Sequence, residues 1–432
     1  MTVAIVGAGL AGLTCARILH AKNVPVVVFE QSDRVGGRVR TDAQDGFRLD
    51  RGFQVVFTSY PAVRRQLDLN QLDLRRFQPG AIIARNGRRS VLSDPLRDPA
   101  AFLPAALNTD VTLLDKLRTL ALTFRLRSQT RCQAIAGGKD NVPDETTLAY
   151  LQAWGFSAKF IDNFIRPFYG GIFLDRSLQT SAKVFRYTFK MLSEGEAAVP
   201  ATGMGRISDT LALPLQRAGL LRLNTGVQAL KREADGRVSG LVLENGETFE
   251  AETVVVATDA PQATQLTNQT MPTAYVSTAC LYYSGRTQLY RAKKLVLNAN
   301  PDAFINNHVL LTNIAPEYAP PGQHLLSATV LGQPDLDDDK LLQKGLEDLR
   351  HIWAGDQTAL IALQSYKPLA VKRVSYAQFA QPPAIHATLP DNATNTPGLM
   401  FAAEFTEASS LNAAMISGEK AARLIIGQRS VG

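Results

Sequence analysis

The amino-acid sequence predicts an α/β protein in which a parallel sheet with crossover helices is interleaved with a second, α+β domain. The chain opens with a short apolar strand, a glycine-rich turn, a helix and a second apolar strand, the start of a βαβ pattern. Unbroken apolar strand patterns return near residues 253 and 398. At 432 residues the chain exceeds one ordinary hydrophobic core, so two domains are expected.

The opening unit contains a G-x-G-x-x-G turn between the strand Val3–Val6 and the helix that follows it. The first glycine allows a tight turn, the second lets the backbone approach a pyrophosphate, and the third lets the helix pack on the strand. The N-terminus of the helix then faces the phosphate charge. The predicted phosphate-binding residues are Gly7, Gly9, Leu10, Ala11 and Gly12.

The second strand, Val26–Phe29, ends in Glu30, eighteen residues after Gly12. An acidic side chain at this distance can hold the two ribose hydroxyls of an adenosine. Two alternatives stay open, namely a Rossmann-like unit without a nucleotide and a solvated carboxylate at the end of a strand.

Two further segments favour a flavin over a nicotinamide. Val35-Gly36-Gly37-Arg38 follows Glu30 within eight residues, and Asp50-Arg51-Gly52-Phe53-Gln54-Val55 comes soon after. They resemble the opening of the superfamily of flavin amine oxidases, protoporphyrinogen oxidases and phytoene desaturases. The resemblance implies a Rossmann-type FAD-binding domain of the glutathione-reductase-like, two-dinucleotide-binding-domain kind. It places Arg38 on the diphosphate, Gly52 beside the isoalloxazine ring and Arg34 on the adenosine side, although a surface position is the alternative for Arg34. The residues it places around FAD here are Glu30, Gln31, Arg34, Gly37, Arg38, Gly52, Phe53, Gln54 and Val55.

A second motif lies late in the chain. Gly398–Glu404 has the pattern of a strand ending in an acid, and a helix pattern follows from Ser409. This resembles the C-terminal fingerprint of the same superfamily, although Ala403 replaces the usual glycine. The resemblance implies that Glu404 bonds the ribityl chain and that the helix N-terminus faces the flavin N1–C2=O edge, where its dipole stabilises reduced flavin. A packed helix without that role is the alternative. The remaining FAD ligands implied by the resemblance are Val227, Ala257, Asn412, Ala413 and Met415.

The same resemblance implies that the chain forms two discontinuous domains. The FAD-binding domain is predicted to contain residues 1–75, 200–265 and 386–432. The substrate domain is predicted to contain residues 76–199 and 266–385, with a helical subregion at about 95–190 where apolar residues recur at helical spacing.

The predicted substrate site rests on Ile165–Phe173, which resembles an R-P-F-x-x-G segment of protoporphyrinogen oxidases. We expect an apolar loop there that, with a Gly52–Val55 strand, walls a pocket for a flat conjugated substrate. A core loop is the alternative. Arg166 is expected to pair with a substrate carboxylate or else with a protein acid. Lys367 is either the flavin-bridging lysine of amine oxidases or a solvated lysine. The catalytic candidates are Arg166, Phe168, Tyr169 and Lys367.

Together the motifs predict an FAD-dependent oxidoreductase. It would transfer hydride to flavin N5 from a bulky, largely apolar conjugated substrate, similar to that of a protoporphyrinogen oxidase or a polyene desaturase. Because no second glycine fingerprint follows a strand, electrons are expected to leave to oxygen or a carrier. Amine oxidation is one alternative, and a non-catalytic FAD-binding scaffold or pigment carrier is another.

Composition narrows the class of protein further. The three cysteines, Cys15, Cys132 and Cys280, show no metal-ligand spacing and indicate a reducing, cytoplasmic location and no metal site. The monoamine oxidases among the similar flavoproteins attach FAD to a cysteine near the C-terminus, and no cysteine follows Cys280 here, so the resemblance implies noncovalent FAD. The net charge of +7 comes without a basic-aromatic module, so no nucleic-acid partner is expected. The acid-free stretch Lys116–Lys139 either rests weakly on an anionic membrane surface or buries its apolar side, and we favour burial.

Overall fold

The computed structural model describes residues 2–93, 110–128 and 144–429. At its centre lies a parallel five-stranded sheet, whose strands in spatial order are Leu221–Arg222, Val26–Phe29, Val3–Val6, Thr253–Val256 and Leu399–Phe401. The two central strands are valine-rich and almost wholly buried, as expected for a parallel sheet that is covered on both faces. The predicted Rossmann-type α/β class is confirmed.

Three long helices pack around this sheet, namely Leu10–Ala21, Gly205–Arg217 and Leu411–Arg429. The first and last of them touch through their backbones, because a methyl group at Gly418 would overlap the carbonyl oxygen of Ala11. Val6, Val256 and Phe401 lie side by side at the carboxyl ends of their strands. The glycine turn and the late motif therefore meet at one edge of the sheet.

A second sheet has seven described strands, in the spatial order Lys367–Phe379, Tyr275–Gly285, His324–Leu331, Asn307–Leu310, Leu295–Asn298, Ala81–Arg85 and Arg88–Leu92. Its outer face carries a separate core, in which Ala279, Leu281 and Tyr283 pack near the helices Asp338–Ile352 and Gln357–Leu363. The strands of each sheet come from the ranges predicted for one domain. The division into domains stays a prediction.

The described helices of the predicted helical subregion are Leu113–Ser128, Thr147–Ala153, Ala158–Phe160, a π-helical turn Ile161–Ile165, Arg166–Phe173 and Ala182–Glu194. The prediction of a loop at Ile165–Phe173 is wrong. A methyl group at Gly170 would lie 3.0 Å from Arg176 Cα, and one at Gly171 would lie 2.8 Å from Asn306 Nδ2. These glycines allow close helix packing rather than a turn. Residues 95–109 and 129–143, with Cys132, lie outside the described residues.

The smaller elements frame the two sheets. Three antiparallel strands, Val227–Arg232, Val238–Leu243 and Thr248–Glu250, form a small meander. The prediction of a strand at Gly52–Val55 is wrong, since the chain bends there and Gly52 has φ +87°. The other strands are Thr41–Gln44, Phe47–Asp50, Val56–Phe57, Leu74–Arg76 and Ala197–Pro200. The other short helices are Pro61–Gln66, Ala260–Thr267, Leu311–Ile314, Pro316–Tyr318, Ile385–Ala387 and Glu404–Thr406.

Candidate functional site

A cavity of about 1710 Å³ lies between the carboxyl ends of the five-stranded sheet and the inner face of the seven-stranded sheet. Open parallel sheets bind their ligands at this position. The volume exceeds the roughly 300–1,000 Å³ of an ordinary small-molecule pocket, so a dinucleotide and a second molecule fit together. Most predicted FAD-binding residues line it: Gly7, Gly9, Leu10, Ala11, Glu30, Gln31, Gly37, Arg38, Gly52, Phe53, Gln54, Val55, Val227, Ala257 and Glu404.

The glycine turn has the shape that a diphosphate requires. Gly7 has φ +105°, and a methyl group there would lie 2.9 Å from Ala257 O, so only glycine fits. A methyl group at Gly9 would meet nothing within 4 Å, while one at Gly37 would lie 3.9 Å from the Gly9 Cα. The first turn of the helix Leu10–Ala21 carries no acidic side chain and no side-chain cap. Its N–H groups are therefore open to an anion in the cavity.

Glu30 is held in place at the end of its strand. One carboxylate oxygen accepts the Ala8 N–H at 2.9 Å, and the other accepts the Ser32 N–H at 3.0 Å and the Ser32 hydroxyl at 2.6 Å. A carboxylate has about four lone-pair positions, so acceptor capacity remains for hydroxyl groups of a ligand. This geometry fits the predicted ribose contact.

Arg38 and Glu404 were predicted to contact different parts of the cofactor, and the structure joins them to each other. Arg38 Nη1 lies 2.7 Å from Glu404 Oε1 and donates at 2.8 Å to the Ala377 carbonyl. Burial disfavours the charge of Arg38, but the carboxylate of Glu404 outweighs it and raises the pKa of the guanidinium. The ring of Tyr376 lies 5.5 Å from the guanidinium carbon. Arg38 therefore enters the cavity as a fixed cation with N–H groups to spare.

The turn that contains Gly52 is anchored by Asp50. Its carboxylate accepts hydrogen bonds from the Thr41 hydroxyl, the Met204 N–H and the Tyr318 hydroxyl, the last two at 2.9 Å. Burial raises the pKa of Asp50 to about 6, although these hydrogen bonds oppose the rise. The buried network fixes the backbone from which Gly52 faces the cavity.

The helix Leu411–Arg429 also opens its N-terminus on the cavity, but through Ser410, Leu411 and Ala414. The predicted ligands Asn412, Ala413 and Met415 do not line the cavity. Asn412 Oδ1 accepts the Ala62 N–H at 2.9 Å, and its Nδ2 donates to the Tyr187 hydroxyl at 2.7 Å, so this side chain ties two helices together. Gly12 also lies outside the lining, because its backbone packs against Gly7.

Three predicted site residues with basic side chains lie elsewhere. Arg34 is exposed and lies 4.0 Å from the Asp209 carboxylate, which matches the surface alternative. Arg166 pairs with Asp162 at 2.8 Å and donates to the Arg176 carbonyl at 2.8 Å, which matches the alternative of a protein acid. Lys367 is exposed at the start of its strand and does not line the cavity. None of the three is placed to contact a ligand in the cavity.

The far end of the cavity is an apolar chamber. Four phenylalanines stack along the helical segment, with centroid separations of 5.1, 5.6 and 5.1 Å and interplanar angles of 27°, 21° and 14°. The four are Phe156, Phe160, Phe164 and Phe168. All but Phe156 line the chamber, as does the predicted candidate Tyr169. The opposite wall is one face of the helix Leu113–Ser128, with Leu113, Leu117, Leu120 and Phe124.

Comparison with known proteins agrees with this arrangement. Residues 10–426 match the family model described as flavin containing amine oxidoreductase. The chain belongs to this family. It is similar to protoporphyrinogen oxidase 2 of Arabidopsis thaliana, with 29% identity over 39% of this chain and 32% of that protein. It is also similar to coproporphyrinogen III oxidase of Bacillus subtilis, with 23% identity over 81% of this chain and 82% of that protein. The solved structure of putrescine oxidase bound to putrescine shares the fold, with a TM-score of 0.72 and 19% identity over 99% of both chains.

Membership of the flavin-containing amine oxidoreductases confirms the predicted superfamily, the oxidoreductase class and FAD as the cofactor, and its noncovalent attachment stays a prediction. The chain spans about a third of the length of the Arabidopsis relative. Of the described thiols, Cys15 and Cys280 are buried away from the cavity, and burial raises their pKa values to about 12 and about 11. No group of three or more metal-binding side chains occurs in the described ranges.

Several residues that line the cavity were not among those predicted from the sequence. Thr225, Thr258 and Asp259 border the nucleotide end, and Thr258 and Asp259 follow the strand pattern that the sequence showed near residue 253. Thr278, Asn307, Thr329 and Lys372 border the middle. They sit in strands of the seven-stranded sheet, where the only signal was a polar residue at alternate positions of an otherwise apolar strand.

Proposed function

We propose that this flavin-containing amine oxidoreductase oxidises a bulky, largely apolar conjugated molecule and passes the electrons to oxygen or a carrier. The observation that carries the proposal is the continuity of the cavity from the glycine turn to the phenylalanine-lined chamber. FAD, when bound, supplies a hydride acceptor at N5. The chamber supplies binding, orientation and exclusion of water.

The chamber walls favour an extended apolar ligand. Phe160, Phe164 and Phe168 present a row of nearly parallel rings, and leucine side chains face them from the helix Leu113–Ser128. Burial of apolar surface there contributes about 25 cal/mol per Å², so a long conjugated molecule gains much more than a small one. Since Arg166 pairs with Asp162, it is not free to bind a substrate carboxylate.

The test is anaerobic mixing of the FAD-loaded protein with a polyene, protoporphyrinogen and a set of primary and secondary amines, followed by bleaching of the flavin absorbance. We expect bleaching by the polyene or by protoporphyrinogen, slowed in Phe164→Ala. Phe156→Ala is the matched control, because Phe156 continues the same stack but does not line the cavity. Fast bleaching by an amine alone would establish the amine oxidase alternative. Loaded protein that no compound bleaches would favour a non-catalytic carrier.

A second proposal concerns the membrane, with the protein itself in the cytoplasm. We expected the stretch Lys116–Lys139 to bury its apolar side. In its described part, within the helix Leu113–Ser128, one side is buried, and a second apolar ridge, which lines the cavity, is solvent-exposed. Leu113 is 73% exposed, Leu117 55% and Phe124 65%, although Leu122 and Leu126 on the other side are buried. No helix in the described part of the chain is long and apolar enough to cross a bilayer. An exposed apolar ridge beside basic residues suits peripheral contact with an anionic surface.

Flotation with anionic liposomes tests this contact. We expect salt-sensitive binding that Leu117→Ser and Phe124→Ser abolish. Leu424→Ser is the control, because Leu424 is 40% exposed on a different helix. Equal flotation of all variants, or none by the wild-type protein, would exclude the ridge as a membrane contact.

A further inference from the structure

The inner face of the seven-stranded sheet carries a polar row that crosses three strand boundaries. Cys280 lies opposite Lys372 on one side and opposite Thr329 on the other, and Thr329 lies opposite Asn307. Residues directly opposite one another point to the same face of a sheet. The alternate residues Ala279 and Leu281 point to the apolar core on the outer face.

Two side chains of this row face the cavity from buried positions. Asn307 is 3% exposed and Thr329 is 4% exposed, and both line the cavity together with Thr278 and Lys372. The row adjoins the end of the cavity where Gly52 is predicted to lie beside the flavin. Thr278 pairs with Val374, and a methyl group at Gly52 would lie 3.5 Å from Val374 Cγ2. Inward positions of a covered sheet are normally apolar, and buried polar groups are costly unless they find hydrogen-bond partners.

The hydrogen bonds fix which atoms of the row are donors. Asn306 Nδ2 donates to the Pro167 carbonyl at 2.9 Å, and since a carbonyl only accepts, the orientation of this amide is settled. The same Nδ2 donates to Asn307 Oδ1 at 2.8 Å, which leaves Asn307 Nδ2 to donate to the Thr329 hydroxyl oxygen at 3.3 Å. Thr278 uses its proton on the Val330 carbonyl at 2.8 Å.

Two donors are left over. The hydroxyl proton of Thr329 and the second Nδ2 proton of Asn307 have no acceptor among the residues that the structure describes. The nearby cations, in contrast, already have carboxylate partners. Lys372 Nζ lies 2.9 Å from Asp42, Arg51 Nε lies 3.4 Å from the same carboxylate, and Arg373 lies 2.8 Å from Asp338. The row therefore offers neutral hydrogen-bond donors, and the cations beside it already contact carboxylates, with Lys372 and Arg51 sharing that of Asp42.

We propose that Thr329 and Asn307 bind a neutral oxygen of the substrate, a hydroxyl or a carbonyl, at the flavin end of the cavity. The proposal rests on the proposed function and narrows its substrate class to an apolar conjugated molecule with an oxygen function. The apolar body of the substrate then lies along the phenylalanine wall. Gly171 belongs to the helix that carries Phe168, and a methyl group at Gly171 would lie 2.9 Å from Asn307 Oδ1. The polar row and the apolar chamber are thus neighbours.

Binding of four retinoid probes to the FAD-loaded protein tests the proposal. The probes are retinol, retinal, the hydrocarbon analogue of retinol and retinoic acid, and binding is followed by the change in flavin absorbance and protein fluorescence. One neutral hydrogen bond corresponds to a preference of about 2- to 10-fold. We expect retinol and retinal to bind more tightly than the hydrocarbon by this factor, and retinoic acid to bind no more tightly than retinol.

The variants locate the preference. Thr329→Val and Asn307→Leu should each reduce it while leaving hydrocarbon affinity nearly unchanged, and Thr329→Ser should retain it. Thr123→Val is the matched control, because Thr123 lines the cavity but its hydroxyl already donates to the Thr119 carbonyl at 2.7 Å. Equal binding of hydrocarbon and retinol by the wild-type protein would overturn this proposal alone. A change in FAD affinity or flavin spectrum of ligand-free Thr329→Val would also overturn it, since the donors would then face the cofactor. If none of the probes binds, both this proposal and the proposed function are contradicted.

Discussion

Removal of the Glu30 carboxylate should weaken FAD binding more than it weakens the fold. In the protein without cofactor, Glu30→Ala loses three local hydrogen bonds, from Ala8 N, Ser32 N and the Ser32 hydroxyl. These groups are only partly buried, so water replaces much of what is lost. In the complex the variant also loses charged hydrogen bonds to the ribose, worth roughly 1.5–3 kcal/mol, or about 10- to 150-fold in Kd.

The assay is a titration of the FAD-free protein with FAD, followed by flavin fluorescence, beside a thermal melt of the FAD-free forms. Glu30→Gln should bind FAD with intermediate affinity, because the amide retains one acceptor oxygen. Glu233→Gln is the control at an exposed carboxylate outside the cavity. An unchanged Kd for Glu30→Ala would refute the ribose contact. A loss of FAD binding that is matched by an equal loss of stability in the FAD-free form would assign Glu30 to the fold instead.

Two other predictions follow from the structure. Because burial raises the pKa of Asp50 to about 6, folding favours its protonated form, so its contribution to stability is present below about pH 4 and is lost as the pH rises through 6. In wild type the free energy of unfolding of the FAD-free protein should fall by roughly 3 kcal/mol more between pH 4 and pH 7 than it does in Asp50→Asn, as measured by denaturant titrations. If the two proteins lose stability equally over this range, the raised pKa is contradicted. Arg166→Ala should lower stability by no more than about 1 kcal/mol, because its pair with Asp162 is partly exposed, and should leave ligand binding unchanged. A large rise in the Kd for substrate in Arg166→Ala would show that Arg166 binds the substrate after all.

The sequence could predict the nucleotide end of the site because its geometry is local. A glycine at φ +105°, a helix start and an acid at a strand end are all encoded within about thirty residues, so Gly7, Gly9 and Glu30 were placed correctly in the cavity. The pairing of Arg166 with Asp162 was equally local, since residues four apart on a helix are neighbours. The sequence analysis left open that Arg166 pairs with a protein acid but did not name Asp162, because a loop was expected there and this spacing carries no information in a loop.

The rest of the site depends on contacts between distant parts of the chain. Thr329, Asn307 and Lys372 come together only through the register of four strands, and no spacing rule relates them. Arg38 and Glu404, 366 positions apart, were each predicted from a separate motif, and their mutual ion pair forms only when the two motifs meet in the folded chain. The helix Leu113–Ser128 has leucines on two sides, so its pattern predicts a helix but not which side is covered.

The two ends of the cavity divide the chemistry between them. At the nucleotide end, glycine backbones, a helix N-terminus and Arg38 present positive charge to a diphosphate, and the structure holds that charge in place through Glu404. At the chamber end the lining is mainly aromatic and aliphatic, with Lys116 and Arg127 at the helix Leu113–Ser128, and the cations near the polar row contact carboxylates. A diphosphate therefore finds its donors at the nucleotide end, and an apolar ligand finds its largest contact beyond Gly52. This separation supports the proposal that the substrate is an extended, largely apolar molecule bound beside the cofactor.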